Sequence, residues 1–194
     1  MKPLSRTNFY WVAAALTSVM LATRVGHIGD WVHLPDASMA VFFLGGLYLR
    51  RYIAFACYML LAIVIDWAVI TYGGVSSFCV TWAYAFLVPA YAALWYGGRL
   101  YASKLDGTAL SFVGAFGVAL VSASISFAIS NGSFYWLGGR HPNPDVAGWL
   151  AGAWRWGPQF VEVTLGYVAA ALAAHAIIRM SARQFVRDEQ VART

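Results

Sequence analysis

Residues 73–84 read GGVSSFCVTWAY, and this stretch joins two apolar runs of the sequence, at 53–72 and 77–96. The glycine pair at its start marks the end of the first run, and one of the two serines that follow is a suitable N-cap for the second. Cys79 is therefore predicted in the first turn of a helix, where the positive end of the helix dipole favours the thiolate. A thiolate is a soft metal ligand and a nucleophile. The alternative is that this cysteine only packs in the interior as a small hydrophobic residue.

The overall composition predicts a membrane protein. The chain has 194 residues, 61% hydrophobic and only 11% charged, with a mean hydropathy of +0.64. Soluble domains of this length carry about 25% charged residues. The net charge of +5 does not indicate a nucleic-acid partner, because the basic residues are scattered at the ends of apolar runs instead of forming a patch. No small-residue cleavage site follows the first apolar run, so it is predicted to be an uncleaved first span.

Six apolar runs approach the roughly 20 residues that a helix needs to cross the hydrocarbon core. The sequence thus predicts an all-α integral membrane protein forming a single transmembrane domain. Its predicted spans are 8–25, 36–50, 53–72, 77–96, 109–130 and 158–178.

The basic residues predict the orientation of these spans, since cytoplasmic loops carry an excess of Lys and Arg. With six crossings and both termini in the cytoplasm, ten basic residues lie inside and three outside. The inside set is Lys2, Arg6, Arg50, Arg51, Arg99, Lys104, Arg179, Arg183, Arg187 and Arg193, and the outside set is Arg24, Arg140 and Arg155. The run at 36–50 is short and contains a glycine pair, but the asymmetry would be lost if it did not cross.

This orientation places three segments outside, at 26–35, 73–77 and 131–157. The third is predicted to be a long loop rich in aromatic residues, Asn, Gly and Pro, which favours a lid or binding loop. Some of its tryptophans are equally consistent with an aromatic belt at the membrane interface.

Two acidic residues lie within apolar runs, in the outer half of the predicted membrane. Asp66 is six residues before the end of its run, or about 9 Å below the outer end of a helix. Glu162 lies about one turn into the last run. An intramembrane carboxylate is costly and is a functional candidate by default, although a structural pair such as Asp66 with Tyr84, or Glu162 with Arg155, explains it as well.

Cys79, these acids and the histidines and arginines of the outer segments all converge on the extracytoplasmic half. A one-sided pocket lined mainly by aromatic residues suits a large, partly flat ligand taken up from outside. The sequence contains no G-x-x-x-x-G-K-S/T, H-E-x-x-H, G-x-S-x-G or C-x-x-C motif, which leaves nucleotide hydrolysis, zinc proteolysis, serine hydrolysis and dithiol redox chemistry without motif support.

In size, span number, orientation and outer pocket, the chain resembles the small six-helix substrate-binding (S) components of energy-coupling-factor (ECF) vitamin transporters. Within that group it resembles the BtuM-type proteins associated with vitamin B12. The sharpest likeness is the cysteine at the outer start of the fourth span, Cys79 in SSFCVTW, which resembles the cysteine that binds the corrinoid cobalt in that subgroup. The resemblance implies capture of cobalamin at the extracytoplasmic face of a bacterial inner membrane.

The resemblance also implies a binding region at His27, Asp66, Tyr84 and Arg155, with cobalamin as the ligand and no independent metal. Family members commonly dock on an energising ECF module through Ala-x-x-x-Ala on the first helix. Here that helix offers small residues at Ala14, Ser18 and Ala22, a looser pattern. BtuM-like proteins are thought to act without a dedicated module, so the partner is either an ECF module or none.

Three functions remain open. As a transporter component of the kind that the resemblance implies, the protein would ligate cobalt through Cys79 and would labilise an upper cyanide ligand, so that decyanation is an expected side activity. As an integral-membrane enzyme, it would use Cys79 as nucleophile and His27 or His33 as base. The third function is a structural or assembly subunit. An S-component for another vitamin is the closest alternative to cobalamin capture.

Overall fold

The computed structural model describes residues 4–24, 34–74 and 76–191, and for Cys79, Arg183 and 185–191 it describes the backbone only. The described chain is helical throughout, apart from its connections. Its α-helices are α1 (Arg6–Arg24), α2 (Ser38–Tyr48), α3 (Tyr52–Tyr72), α4 (Leu87–Tyr101), α5 (Ala109–Leu137) and α6 (Val146–Val191). Two short 3-10 helices, Ser77–Cys79 and Trp82–Phe86, lie between α3 and α4.

Three of the described helices are long and apolar enough to cross a membrane: α3, α5 and the Val146–Ala182 part of α6. Each of the six predicted runs contains an α-helix. The predicted run at 77–96 begins well before its α-helix, because α4 begins only at Leu87 and the two 3-10 helices precede it. The number of crossings and the side on which the termini lie stay predictions.

The shortest α-helix, α2, lies at the centre of the bundle. Nearly all of its residues are buried, including Phe42, Phe43 and Leu47, which are fully enclosed. The other five α-helices pack around it, and α4 makes the most extensive contact. The Phe42 ring stacks on Tyr91 of α4 at a centroid distance of 4.1 Å. Because α2 is enclosed by protein, its 11 residues need not match the thickness of a bilayer.

Glycines allow α2 and α4 to approach closely. A Cβ on Gly46 would overlap the backbone carbonyl of Trp95, and a Cβ on Gly98 would overlap the carbonyl of Phe43. Trp95 itself is 1% exposed and fills the space beside these contacts. The glycine pair that makes the second run look weak as a helix is therefore a packing requirement of the tertiary structure.

Cys79 and the first 3-10 helix lie at one end of the bundle, beside the α5–α6 connection. The Arg140 Nη2 donates a hydrogen bond of 3.0 Å to the Phe78 carbonyl, which joins the α5–α6 connection to the first 3-10 helix. Arg24, the last residue of α1, lies at this same end because it binds Asp66, which also binds Tyr84. We call this the Cys79 end.

Most of the basic side chains that the structure describes lie at the opposite end, which we call the basic end. The Arg50 Nη2 donates to the Ala102 carbonyl at 2.7 Å, and the Arg179 Nη1 donates to the Asp106 carbonyl at 2.6 Å. These bonds bring together the α2–α3 turn, the α4–α5 connection and α6. The described basic side chains here are Arg6, Arg50, Arg51, Arg99, Lys104 and Arg179.

The predicted long loop at 131–157 is wrong. α5 continues to Leu137 and α6 starts at Val146, so only 138–145 remain as a connection. The polar residues of this region are compatible with a helix because their side chains bond to the preceding turn: Ser133 Oγ donates to the Ser130 carbonyl at 3.0 Å. The connection is closed by Asp145, whose Oδ1 accepts from the Gly148 amide at 2.6 Å as an N-cap of α6.

The helix that includes the last predicted span, 158–178, begins earlier than that span, at Val146, and Pro158 lies inside it. α6 has 46 residues and is roughly 69 Å long, about twice the hydrocarbon thickness of a bilayer. A large part of it must extend beyond the apolar core of any membrane that it crosses.

Candidate functional site

The buried carboxylate of Asp66 is held by an arginine. Arg24 Nε donates to Asp66 Oδ1 and Arg24 Nη2 donates to Oδ2, each at 2.6 Å, in the paired geometry that makes arginine–carboxylate contacts strong. The two side chains are 11% and 23% exposed. α1 and α3 therefore exchange a largely buried ion pair at the Cys79 end.

Tyr84 completes the coordination of this carboxylate, and its hydroxyl donates to Asp66 Oδ2 at 2.6 Å. The second 3-10 helix positions the tyrosine, and it starts at an N-cap provided by Thr81, whose Oγ1 accepts from the Ala83 amide at 3.2 Å. The Asp66–Tyr84 pair expected from the sequence is present, but within a larger cluster that includes Arg24.

Arg24 also binds groups that the sequence did not single out. Its Nη1 donates to Ser38 Oγ at 2.7 Å and to Tyr91 Oη at 3.2 Å, and it lies 3.8 Å from Asp36 Oδ2. Arg24, Ser38 and Tyr91 were missed as site residues. The available signal was that a carboxylate in an apolar run needs a partner, and Arg24 ends the first run on the same side of the predicted membrane as Asp66.

A cavity of about 220 Å³ adjoins this cluster. Arg24, Asp66, Tyr84 and Tyr91 form its polar wall, and α5 contributes Ser130 and Phe134. Binding sites for small molecules commonly measure about 300–1,000 Å³. The cavity therefore accommodates a small ligand, or one part of a larger ligand.

The segment that carries Cys79 borders this cavity. Phe78 packs on the cavity-lining Phe134, with ring centroids 5.8 Å apart, and the Arg140 guanidinium lies 4.6 Å from the centroid of the Phe78 ring. Tyr84, five residues after Cys79, lines the cavity directly. The backbone of Cys79 thus lies between two residues whose side chains reach the cavity or its wall.

The local structure of Cys79 differs from the prediction. Ser76 is an N-cap, as expected, and its side chain accepts from the Phe78 amide at 3.2 Å. The helix that it caps has only three residues, and Cys79 is the last of them. The prediction of a first-turn position in a long helix is wrong, and its argument from the helix dipole does not apply, because the dipole requires several aligned peptide units.

The other predicted site residues lie apart from this cluster. Arg155 is exposed on α6, where its guanidinium lies 5.2 Å from the centroid of the Trp156 ring, and it does not line the cavity. Glu162 is exposed on the same helix. His27 and His33 lie outside the described residues. Cys57, the second cysteine, is an exposed free thiol on α3.

Among the residues whose side chains are described, no three His, Cys, Asp or Glu side chains are grouped so that they could hold a metal ion. The cluster at the Cys79 end therefore provides hydrogen-bond donors and one buried ion pair. Its chemistry suits the recognition of a polar group on a ligand.

Comparisons with known proteins assign no family to this chain. No protein-family model matches the sequence. No curated protein matches it either.

Proposed function

We propose that this protein is a membrane-embedded binding component of a transporter that captures cobalamin, or a related corrinoid, from the extracytoplasmic side. Cys79 ligates the cobalt as a thiolate, and Asp66 and Tyr84 bind polar groups at the corrin periphery. The observation that carries the proposal is the position of Tyr84: it follows Cys79 by five residues and contacts the buried Arg24–Asp66 pair at the wall of a cavity.

The proposed topology has six crossings, both termini in the cytoplasm and the Cys79 end outside. Its support is the distribution of charge between the two ends of the bundle. The basic end carries six of the nine described basic side chains and one acid, Asp106, whereas the Cys79 end has Arg24 and Arg140 together with Asp36, Asp66 and Asp145, and Arg155 lies part-way along α6. The positive-inside rule then orients the basic end toward the cytoplasm.

The size of the cavity limits how a corrinoid binds. A whole corrinoid is far larger than 220 Å³, so the macrocycle lies across the mouth of the cavity and only a substituent enters it. In this arrangement, the backbone of Cys79 at the rim is suitably located for its thiol to approach the cobalt from one face of the ring. A soft thiolate is an appropriate ligand for this position.

Ligation by Cys79 also weakens the bond to an upper ligand on the opposite face. For a cyano form, the cobalt–cyanide bond breaks heterolytically, cyanide leaves with the bonding electron pair and takes a proton from water, and the oxidation state of cobalt does not change. This step needs no oxidant or reductant.

The test is the visible absorption spectrum of purified protein incubated with cobalamin. The wild type should shift the corrin bands. Cys79→Ser, in which a hard hydroxyl of similar size replaces the thiol, should fold normally and give no shift. The matched control is Cys57→Ser, which should retain the shift. An unchanged spectrum with bound cobalamin on the wild type, or the same shifted spectrum on Cys79→Ser, would show that cobalt–thiolate ligation is wrong.

A second candidate, an S-component for a smaller vitamin, is favoured by the cavity volume of about 220 Å³. A vitamin that fits wholly inside would be held by the Arg24–Asp66–Tyr84 cluster. Its affinity should fall about ten-fold in Tyr84→Phe, the loss expected for one hydrogen bond to a charged group, and should not change in Cys79→Ser. Dependence of binding on Cys79 separates the corrinoid from this alternative.

A further inference from the structure

A second concave region, an apolar groove, lies far from the Cys79 end. α1 and α6 both pack on α2 and leave between them a groove of about 550 Å³. α1 contributes Asn8 and Trp11, α6 contributes Ala174 and Arg179, and Tyr48 of α2 lies between them. This groove is more than twice as large as the cavity beside Asp66.

Most of the groove surface is apolar. Tyr48 Oη and His175 Nδ1 share a hydrogen bond of 3.0 Å, so these two polar atoms satisfy each other. Leu44, Ala171 and Ile178 provide further apolar walls. A hydrocarbon chain lying here would leave the Tyr48 hydroxyl and His175 Nδ1 bonded to each other, so neither of these two atoms would be buried without a partner.

The length of the groove matches one leaflet of a bilayer. It extends from Asn8 to Leu16 on α1 and from Ala171 to Arg179 on α6, which is roughly 12 Å along each helix, and Leu4, just before α1, lengthens it further. Half of a hydrocarbon core is roughly 15 Å, whereas a transmembrane helix of a partner requires the full core of roughly 30 Å. A single acyl chain is therefore the better fit by length.

Charge determines which lipid fits best. Arg179 lies where the groove reaches the basic end, and its guanidinium has five N–H donors, of which the bond to the Asp106 carbonyl uses one. Arg50, Arg51 and Lys104 add positive charge at this end. An anionic headgroup would be attracted here, because a phosphate accepts strong hydrogen bonds from a guanidinium.

We propose that the groove between α1, α2 and α6 binds one acyl chain of an anionic phospholipid, whose headgroup phosphate is held by Arg179 at the basic end. The bound lipid joins α1 to α6, which otherwise meet mainly through α2. This site does not depend on the corrinoid, because it lies at the other end of the bundle.

The experiment is native mass spectrometry of the detergent-solubilised full chain, titrated with dioleoyl phosphatidylglycerol or dioleoyl phosphatidylcholine. The wild type should bind one phosphatidylglycerol about ten-fold more tightly than phosphatidylcholine, because both headgroups carry the phosphate that Arg179 binds but phosphatidylcholine adds a trimethylammonium group that the positive charge at this end repels. Arg179→Gln should remove this preference. The matched control is Arg155→Gln, which removes an exposed arginine of the same helix that does not line the groove and should retain the preference.

Filling the groove provides a second, independent test. Ala174→Phe places a ring in the groove and should reduce the binding of both lipids at least ten-fold. Ala173→Phe is the matched control, because Ala173 is exposed on the adjacent face of α6 and does not line the groove. Unchanged lipid binding by Ala174→Phe, or the same headgroup preference in Arg179→Gln, would overturn the proposal. Dimers that form in the wild type and disappear in Ala174→Phe would identify a second copy as the occupant instead.

Discussion

At the scale of the residue, the most consequential feature is the ion pair between Arg24 and Asp66. The two side chains belong to helices α1 and α3, separated by 42 positions in the sequence, and both are largely buried. A buried ion pair contributes little more to the free energy of folding than a well-packed apolar pair would. Removal of one partner is destabilising, however, because it leaves an unpaired charge in a region of low dielectric. The pair therefore fixes how α1 and α3 meet at the Cys79 end.

Asp66→Asn should destabilise the protein by roughly 2–4 kcal/mol, somewhat less than for a fully buried pair because Asp66 retains partial contact with solvent. Arg24→Gln should have a similar effect. The double variant should lose less stability than the sum of the two single losses, because no unpaired charge remains in it. Thermal unfolding in detergent measures these differences. The control Arg155→Gln removes an exposed arginine and should change little; additive losses in the double variant would contradict a direct coupling.

At the scale of the element, α2 differs from the other helices in its environment. It is the shortest α-helix of the described chain, it is surrounded by the others, and it contacts α4 through glycines on both helices. Close backbone approach increases dispersion contacts between the helices and is common where helices pack in membranes. The α2–α4 pair thus forms the core around which the longer helices are arranged.

Gly46→Ala should push α2 away from α4, because the added methyl overlaps the Trp95 carbonyl. This substitution should lower the free energy of unfolding by roughly 1–3 kcal/mol or more. Gly117→Ala is the matched control. It adds the same methyl to α5, where no atom lies within 4 Å, and it should be neutral or stabilising by up to about 1 kcal/mol through helix propensity. Equal melting temperatures for the Gly46→Ala variant and the wild type would contradict the close α2–α4 contact.

At the scale of the whole molecule, the two ends of the bundle have different chemistry. The Cys79 end has aromatic side chains, the Arg24–Asp66 pair and the cavity, whereas the basic end has six described arginines and lysines and the opening of the larger groove. α5 joins the two ends in one continuous helix of 29 residues, so the connections 102–108 and 138–145 lie on opposite sides of the bundle.

A cysteine at Asn143, in a background of Cys57→Ser and Cys79→Ser, should react with an impermeant maleimide from the extracytoplasmic side. The matched control is Lys104→Cys in the same background, which should react only after the membrane is disrupted. Both positions are exposed at opposite ends of α5. The reverse pattern of labelling would invert the proposed orientation, and reaction of neither residue in intact membranes would contradict an outward-facing 138–145 connection.

Much of the helix content followed from the sequence itself. Apolar runs predict helices because an apolar backbone segment must satisfy its own hydrogen bonds, and each of the six runs does contain a helix. The boundaries were harder to predict. Asn131 and Ser133 resemble residues of a loop, but both lie within α5, where the Ser133 side chain bonds to the preceding turn.

The sequence by itself determined that the chain is apolar, helical and basic mainly at one end, and that Asp66 needs a polar partner. Only the tertiary structure decided that this partner is Arg24, that Tyr84 joins them, and that α2 is the buried centre of the bundle. The physical reason is that hydropathy and charge are properties of single residues and short windows. A contact between residues on separate helices depends on how those helices rotate and cross, which is set by side-chain fit across the whole bundle.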